Sequence, residues 1–265
     1  MSLNLFGRPA LLFLPASRPG AIARARSSNA DVVVLDLQDA VKEEDKVTAR
    51  EAAIEALAED WPMPVLVRIN GVGSRHHGAD LAAVLHGTAR HVIVPSIRTA
   101  EEVHGVARIV GQQVIAMVET AAAVMNAGAI AREAAGLIVG TNDLAADLRL
   151  PADAGRGPLT TALQTVVLAA RAAGKVVFDG VFNRLDDPEG LAAEAREGRQ
   201  MGFDGKSLIH PDQIAPTHLA FAPEPDEVAR AERLVAAATG GAERFEGQMI
   251  EAMHVEAARR LLDRR

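Results

Sequence analysis

The chain, 265 residues long, repeats one unit along most of its length: a short β-branched run, a polar or Gly/Pro stop, then an Ala-, Glu- and Arg-rich stretch with helical spacing. Eight runs read as strands, at 10–14, 32–37, 65–69, 91–94, 114–118, 137–139, 176–178 and 205–209. Short apolar runs bounded by Gly or Pro fit strands buried on both faces. Helical patterns lie between them, for example at 48–57, 100–110, 159–173 and 190–201. Strands alternating with helices build a parallel sheet with the helices outside it. Eight such units in a chain of this length fit an α/β fold of the closed (β/α)8 TIM-barrel type. An open doubly wound sheet tolerates the same alternation, but the first strand–helix turn, Pro15 to Gly20, carries no dinucleotide fingerprint, which weighs against it.

After the eighth unit comes a Pro-punctuated link, 211–225, and then two further helical stretches, 226–238 and 248–263. They exceed what a barrel needs. The expected organisation is therefore a catalytic barrel over 1–215 and a C-terminal helical extension over 216–265. Hydrophobic residues make up 49%, enough for a sizeable core. With no cysteine there is no disulfide, thiolate metal site or Cys nucleophile. A net charge of −7, no Tyr and a single Trp leave neither a basic stripe nor a stacking platform for nucleic acid. The run 10–17 is too short for a secretory h-region, is broken by Pro15 and follows one Arg. No run reaches the roughly 18 apolar residues of a membrane span. A cytoplasmic protein that contacts neither membrane nor nucleic acid is expected.

In a barrel, reactive groups project from the C-terminal ends of the strands. Read in order, those ends carry Pro15, Ser17 and Arg18; Asp36, Gln38 and Asp39; Arg68 and Asn70; Pro95 and Ser96; Glu119; Asn142 and Asp143; Asp179 and Asn183; and His210. Glu119 and Asp143 end consecutive apolar runs joined by an Ala-rich stretch, 121–135, that fits one crossover helix. Consecutive strands joined this way are parallel neighbours, so the two carboxylates would stand side by side. They repel unless a divalent cation lies between them, and hard oxygen ligands of this kind suit Mg2+. The alternative is that one caps a helix and the other pairs with an arginine.

Arg68 has two readings as well: a bidentate clamp for a substrate carboxylate, or a salt bridge to Asp36 on the neighbouring strand. Both are compatible, since a buried Asp36 needs a partner. His210 reads most simply as a strand terminator bonded to backbone. His76 and His77 lack a third ligand at zinc spacing and read as a solvated loop. Asp186 and Asp187, before Pro188, read as a turn and N-cap cluster.

With these residues assembled, the chain resembles the citrate lyase β-subunit-like proteins of the HpcH/HpaI aldolase family, which includes malyl-CoA and citramalyl-CoA lyases. The matching motifs are Leu12-Phe-Leu-Pro15, Val34-Leu-Asp-Leu-Gln-Asp-Ala-Val41, Val67-Arg-Ile-Asn70, Met117-Val-Glu-Thr120, Gly140-Thr-Asn-Asp-Leu-Ala-Ala-Asp-Leu148, Gly202-Phe-Asp-Gly-Lys-Ser-Leu-Ile-His-Pro211 and Met249-Ile-Glu-Ala-Met-His-Val255. Singly each is weak; the ordered set is specific and runs over nearly the whole chain. The resemblance implies a (β/α)8 barrel with Mg2+ on Glu119 and Asp143 and a substrate-clamping Arg68. It implies cleavage, or the reverse condensation, of a carbon–carbon bond in a 3-hydroxyacyl-CoA thioester of the citryl, malyl or citramalyl kind.

The candidate site is then Arg68, Glu251 and Asp36 as catalytic residues, with Arg68, Arg18, Asn142 and Gln38 on the substrate. Glu251 resembles the C-terminal acid that serves as base in a neighbouring subunit's site. A homo-oligomer, a trimer or a multiple of it, follows from that. Three positions depart from the family pattern: Gln38 where Glu is usual, Ser96 where Pro-Lys is common, and Glu251 where Asp is common. Gln38 and Ser96 together suggest an ion pair replaced by a neutral pair. Two other functions stand as alternatives: a class II-type 4-hydroxy-2-oxo acid aldolase of the same barrel that needs no CoA, a branch the chain resembles less well in the segment 205–211, and a complex-bound subunit active only with separate carrier and transferase chains.

Overall fold

The computed structural model describes residues 4–86 and 91–263. The chain divides into two compact units, Met1–Ala220 and Phe221–Arg265. The first is a closed barrel of eight parallel strands in sequence order: β1 (Ala10–Pro15), β2 (Val32–Asp36), β3 (Val65–Arg68), β4 (His91–Val94), β5 (Gln113–Val118), β6 (Gly136–Val139), β7 (Val176–Asp179) and β8 (Gly205–Leu208). All eight strands expected from the sequence are present, and β8 pairs with β1 to close the ring.

Alternate residues along each strand fill the interior. Leu11, Val32, Val34, Leu66, Ile93, Ile115, Met117, Ile138, Val176 and Phe178 form one buried cluster, with Phe13 packed against it. The intervening positions, such as Val33, Leu35, Val67, Val92 and Val177, are just as fully buried, because strands alternate their faces and helices cover the outside. This double burial is why the runs are apolar throughout instead of alternating. Outside the ring, Lys206 of β8 is completely buried and donates to Asp179 of β7 (3.0 Å), to Glu194 (2.7 Å) and to the Gly180 carbonyl (2.7 Å). Arg156 joins the same cluster through Asp179 at 2.9 Å.

Three local expectations are corrected. The crossover at 121–135 is two helices, Ala121–Met125 and Ala127–Glu133, broken at Asn126, whose side chain donates instead to the Arg98 carbonyl. The stretch read as a link contains a helix, Ile214–Phe221; Pro216 sits in its first turn, where a missing N–H costs nothing. In the second unit, 248–263 is not one helix. Gln248–Ile250 pairs antiparallel with Glu243–Phe245, and the helix begins at Ala252. The two residues between those strands, Glu246 and Gly247, both have positive φ (45° and 81°), the signature of a tight hairpin turn whose twist matches its strands. Ile250 and Ala258 there pack against Ala231 and Leu234. Among the described residues no helix is long and apolar enough to cross a membrane.

Ring closure depends on a missing side chain. A Cβ on Gly205 would lie 2.4–2.8 Å from the backbone O, Cα and C of Pro9, beside the hydrogen bond from the Lys206 N–H to the Pro9 carbonyl. Backbone cannot yield as a flexible side chain does. Gly205→Ala should therefore cost about 1–3 kcal/mol or more through overpacking, read as a lowered urea midpoint; an unchanged midpoint would mean that the Pro9 segment moves aside freely.

Candidate active site

The parallel register of β2 and β3 sets Asp36 opposite Arg68. Arg68 Nε and Nη2 each donate to one oxygen of Asp36, both at 2.6 Å. Asp36 also accepts the backbone N–H groups of Gln38 (2.9 Å) and Ala40 (3.0 Å). Four donors thus occupy a carboxylate that is 0% exposed. The guanidinium lies over the Phe13 ring at 5.3 Å. Burial opposes its charge, yet Asp36 with its neighbouring carboxylates holds the Arg68 pKa above its ordinary value. Its remaining nitrogen, Nη1, has Asp39 at 3.5 Å and the Met117 sulfur at 3.9 Å.

On the opposite side, β5 and β6 pair Val118 with Val139, which brings Glu119 against Gly140. A Cβ at Gly140 would lie 2.5 Å from Glu119 Oε2, so only glycine leaves room for this side chain. Glu119 Oε1 accepts both the backbone N–H and the hydroxyl of Ser96, each at 2.7 Å. Oε2 is buried and has no partner among the described residues. Burial raises the Glu119 pKa above the usual carboxylate value; Ser96 opposes the shift and Asp143 adds to it. Asp143 stands in the first turn of the helix Thr141–Asp147.

Asp36, Arg68, Gly140 and Asp143 line a cavity of about 330 Å³. Phe13, Met117, Val139, Val181 and Ile209 form its apolar wall, and Asp36, Asp39, Arg68, Asn142, Asp143 and Asn183 its polar wall. Ser207, also on the lining, carries a buried hydroxyl with no partner among the described residues. Asn142 and Asn183 exchange amide hydrogen bonds at 2.7 and 3.3 Å. A second, more polar cavity of about 600 Å³ is lined by Gln38, Lys46, Asn70, His76, Ser96 and Arg98 among others. Asp39 borders both. Lys46 donates to the Leu37 and Gln38 carbonyls and to Asn70 (2.7, 2.6 and 3.0 Å), and burial lowers its pKa.

The structure therefore brings Asp36, Arg68, Asn142 and Asp143 to one cavity, with Glu119 close to Asp143. Gln38 lines the neighbouring cavity, its Oε1 buried with no partner among the described residues. It does not form the expected neutral pair with Ser96, because Ser96 turns both donors to Glu119. Arg18 is exposed at the start of the helix Pro19–Arg26 and lies outside both linings. Glu251 belongs to the second unit, exposed at the N-terminus of its last helix, with its N–H donating to His254 Nδ1 at 3.0 Å. His210 Nδ1 accepts the Asp212 N–H, and Asp187 caps the helix Pro188–Met201 through the Gly190 N–H, as their sequence context suggests. Among the described residues no group of three or more His, Asp or Glu stands ready for a metal. Sequence reasoning missed Lys46 and Ser207; a lone Lys after a turn and a Ser inside a strand carry no pattern that marks them.

The family model for HpcH/HpaI aldolase/citrate lyase matches residues 9–211. A (3S)-malyl-CoA thioesterase of Cereibacter sphaeroides is 36% identical over 263 residues, covering 95% of this chain and 92% of the relative. A citrate lyase subunit beta-like protein of Mycobacterium tuberculosis is 37% identical, covering 100% and 97%. Among solved structures, the CitE protein of Mycobacterium tuberculosis in complex with magnesium, acetoacetate and coenzyme A has a TM-score of 0.87 at 36% identity, with 97% of each chain covered.

The raised pKa of Glu119 has a consequence for stability. A carboxyl group whose folded pKa exceeds its unfolded one stabilises the fold in its protonated form. That stability is complete below the ordinary value of 4.5 and is lost as pH rises through the folded value. In protein stripped with EDTA, Glu119→Gln should therefore raise Tm at neutral pH, and its advantage over wild type should shrink as pH falls. A variant with lower Tm at every pH would show that the ionised carboxylate is favoured where it stands.

Proposed function

Because the chain belongs to the HpcH/HpaI aldolase/citrate lyase family, we propose that it is a Mg2+-dependent lyase. It cleaves, or in reverse forms, the carbon–carbon bond of a 3-hydroxyacyl-CoA thioester of the malyl, citramalyl or citryl type. One observation carries this reading: a bare buried carboxylate oxygen beside a second carboxylate, with a rigidly held guanidinium lining the same cavity as the second. The donor set fits Mg2+, which takes one or two protein carboxylates and leaves its other positions to water and substrate. Glu119 and Asp143 would hold the ion, and its Lewis acidity would polarise the oxygens of the acid half.

The chain's own residues supply the rest. Arg68 offers Nη1 to a carboxylate or carbonyl oxygen of the acid half, while Asp36 fixes the other edge of the fork. Asp36 has no lone pair to spare for a proton, so it acts through Arg68. Asn142 and Asn183 offer amides at the rim, and Gln38 and Arg98 line the adjoining cavity, where the longer arm of a thioester has room. In the cleavage direction a base removes the hydroxyl proton and the carbonyl forms. The C–C bonding pair passes to the thioester half as an enolate, and a proton then returns to that carbon. Glu251 from a neighbouring protomer of a homo-oligomer, trimeric or a multiple of it, is assigned as the base. A second reading is hydrolysis of the thioester, favoured by the name of the Cereibacter sphaeroides relative.

Product analysis separates the two. Lysis of malyl-CoA yields acetyl-CoA and glyoxylate, whereas hydrolysis yields malate and free CoA; neither pair appearing, with free 4-hydroxy-2-oxo acids cleaved instead, would refute both. Calorimetry should show Mg2+ binding to wild type and its loss in Glu119→Gln and Asp143→Asn; undiminished affinity in both variants removes the metal assignment. Arg68→Lys keeps the charge but loses the fork, and kcat/KM should fall at least ~100-fold if the fork acts as an oxyanion donor. A near-wild-type rate makes Arg68 purely structural. Mixing inactive Arg68→Ala with inactive Glu251→Gln protein should restore activity once subunits exchange. Exchange seen by mass spectrometry without activity would mean that Glu251 does not act across protomers.

A further inference from the structure

Ser96 has φ of +54°, in the left-handed region that a residue with a Cβ seldom enters and that concentrates at functional positions. In this conformation both of its donors, the backbone N–H and Oγ, reach a single atom, Glu119 Oε1, at 2.7 Å each. Glu119 is 3% exposed and its other oxygen, Oε2, is buried with no partner among the described residues. On the far side Gly140 closes the space: a Cβ there would stand 2.5 Å from Oε2 and 2.6 Å from the Glu119 Cβ. The carboxylate is thus wedged with one oxygen saturated and one bare.

We propose that Ser96 is a positioning residue that makes Glu119 a one-oxygen donor and thereby sets the preference of the site for Mg2+ over Ca2+. The inference rests on the assignment of Glu119 and Asp143 as the metal carboxylates. Mg2+ demands a small octahedral set, whereas Ca2+ accepts more ligands and takes both oxygens of one carboxylate readily. Two donors on Oε1 make that oxygen a poor second ligand, which disfavours the larger ion. Removing Oγ leaves the backbone N–H alone and frees part of Oε1. A donor that orients a metal ligand typically changes affinity by about 10–100-fold when lost.

The test is calorimetric titration of Mg2+ and of Ca2+, separately, into wild type, Ser96→Ala and Ser96→Gly, with Asp143→Asn as a control. Ser96→Gly also relieves the left-handed backbone, so it stays folded if Ser96→Ala does not. The expected result is that Mg2+ binding weakens roughly tenfold while Ca2+ binding holds or tightens, so that the Kd for Ca2+ divided by the Kd for Mg2+ falls about tenfold or more. A merely structural role would weaken both ions by one factor, and an unchanged ratio overturns the proposal while leaving the metal site standing. If wild type binds no Mg2+, or Asp143→Asn binds it as well as wild type, the assignment beneath fails and takes the proposal with it.

Discussion

A carboxylate with no access to water has to be neutralised where it stands, and for Asp36 the neighbouring strand supplies the charge. Parallel pairing of β2 with β3 delivers Arg68 in register, and two bonds of 2.6 Å with the geometry of a fork hold it. Breaking such a pair from one side costs about 3–5 kcal/mol, because it leaves a buried charge alone. The rest of the site depends on this bond. It fixes one edge of the guanidinium, leaves Nη1 with only the longer contacts to Asp39 and Met117, and puts a permanent positive charge among Asp36, Asp39 and Asp143. Without Arg68 every charged group on the cavity wall would be an acid.

The same rule operates outside the ring. Lys206, fully buried, is matched by Asp179 and Glu194, and Arg156 reaches Asp179, Glu194 and Glu197. Glu194 and Glu197 lie on the helix Pro188–Met201, so the charges tie that helix to β7 and β8. Lys206 sits in a motif that also carries Ser207 and His210, yet its side chain points away from the cavity that Ser207 lines. Within one strand, alternation assigns adjacent letters of one motif to scaffold and to site.

Alternation also explains what the sequence revealed and what it hid. Strands buried on both faces announce themselves as apolar runs, so β1 to β7 were legible as such, while β8, which carries Lys206 and Ser207, was legible from its place in the repeat. Asp36, Arg68 and Glu119 stood out because each ends an apolar run, and Asp143 because it follows one in the first turn of the next helix. The partnership of Ser96 was not legible. Its side chain takes its direction from a positive φ, and the resemblance suggested Gln38 as its partner where geometry supplies Glu119. Lys46 was invisible for a related reason: its three acceptors are two carbonyls and an amide, and a cation paired with neutral groups leaves no complementary charge to search for. In the second unit, the apolar letters of Met249 and Ile250 fit a helix or a strand equally. The Glu246–Gly247 turn decided between them, and a Glu there is a weak turn signal by itself.

Gly140 gives the site a property that charge alone does not describe. Glu119 fits only because the residue facing it has no side chain, so the chemistry of the cavity is gated by an atom that is absent. One added methyl group at that position would displace the carboxylate while every acid, base and hydrogen-bond donor of the cavity stayed in the sequence. A catalogue of this chain's charged letters is therefore an incomplete description of its site. A chain that keeps both acids but fills the notch has every ingredient of the site and no place to assemble them.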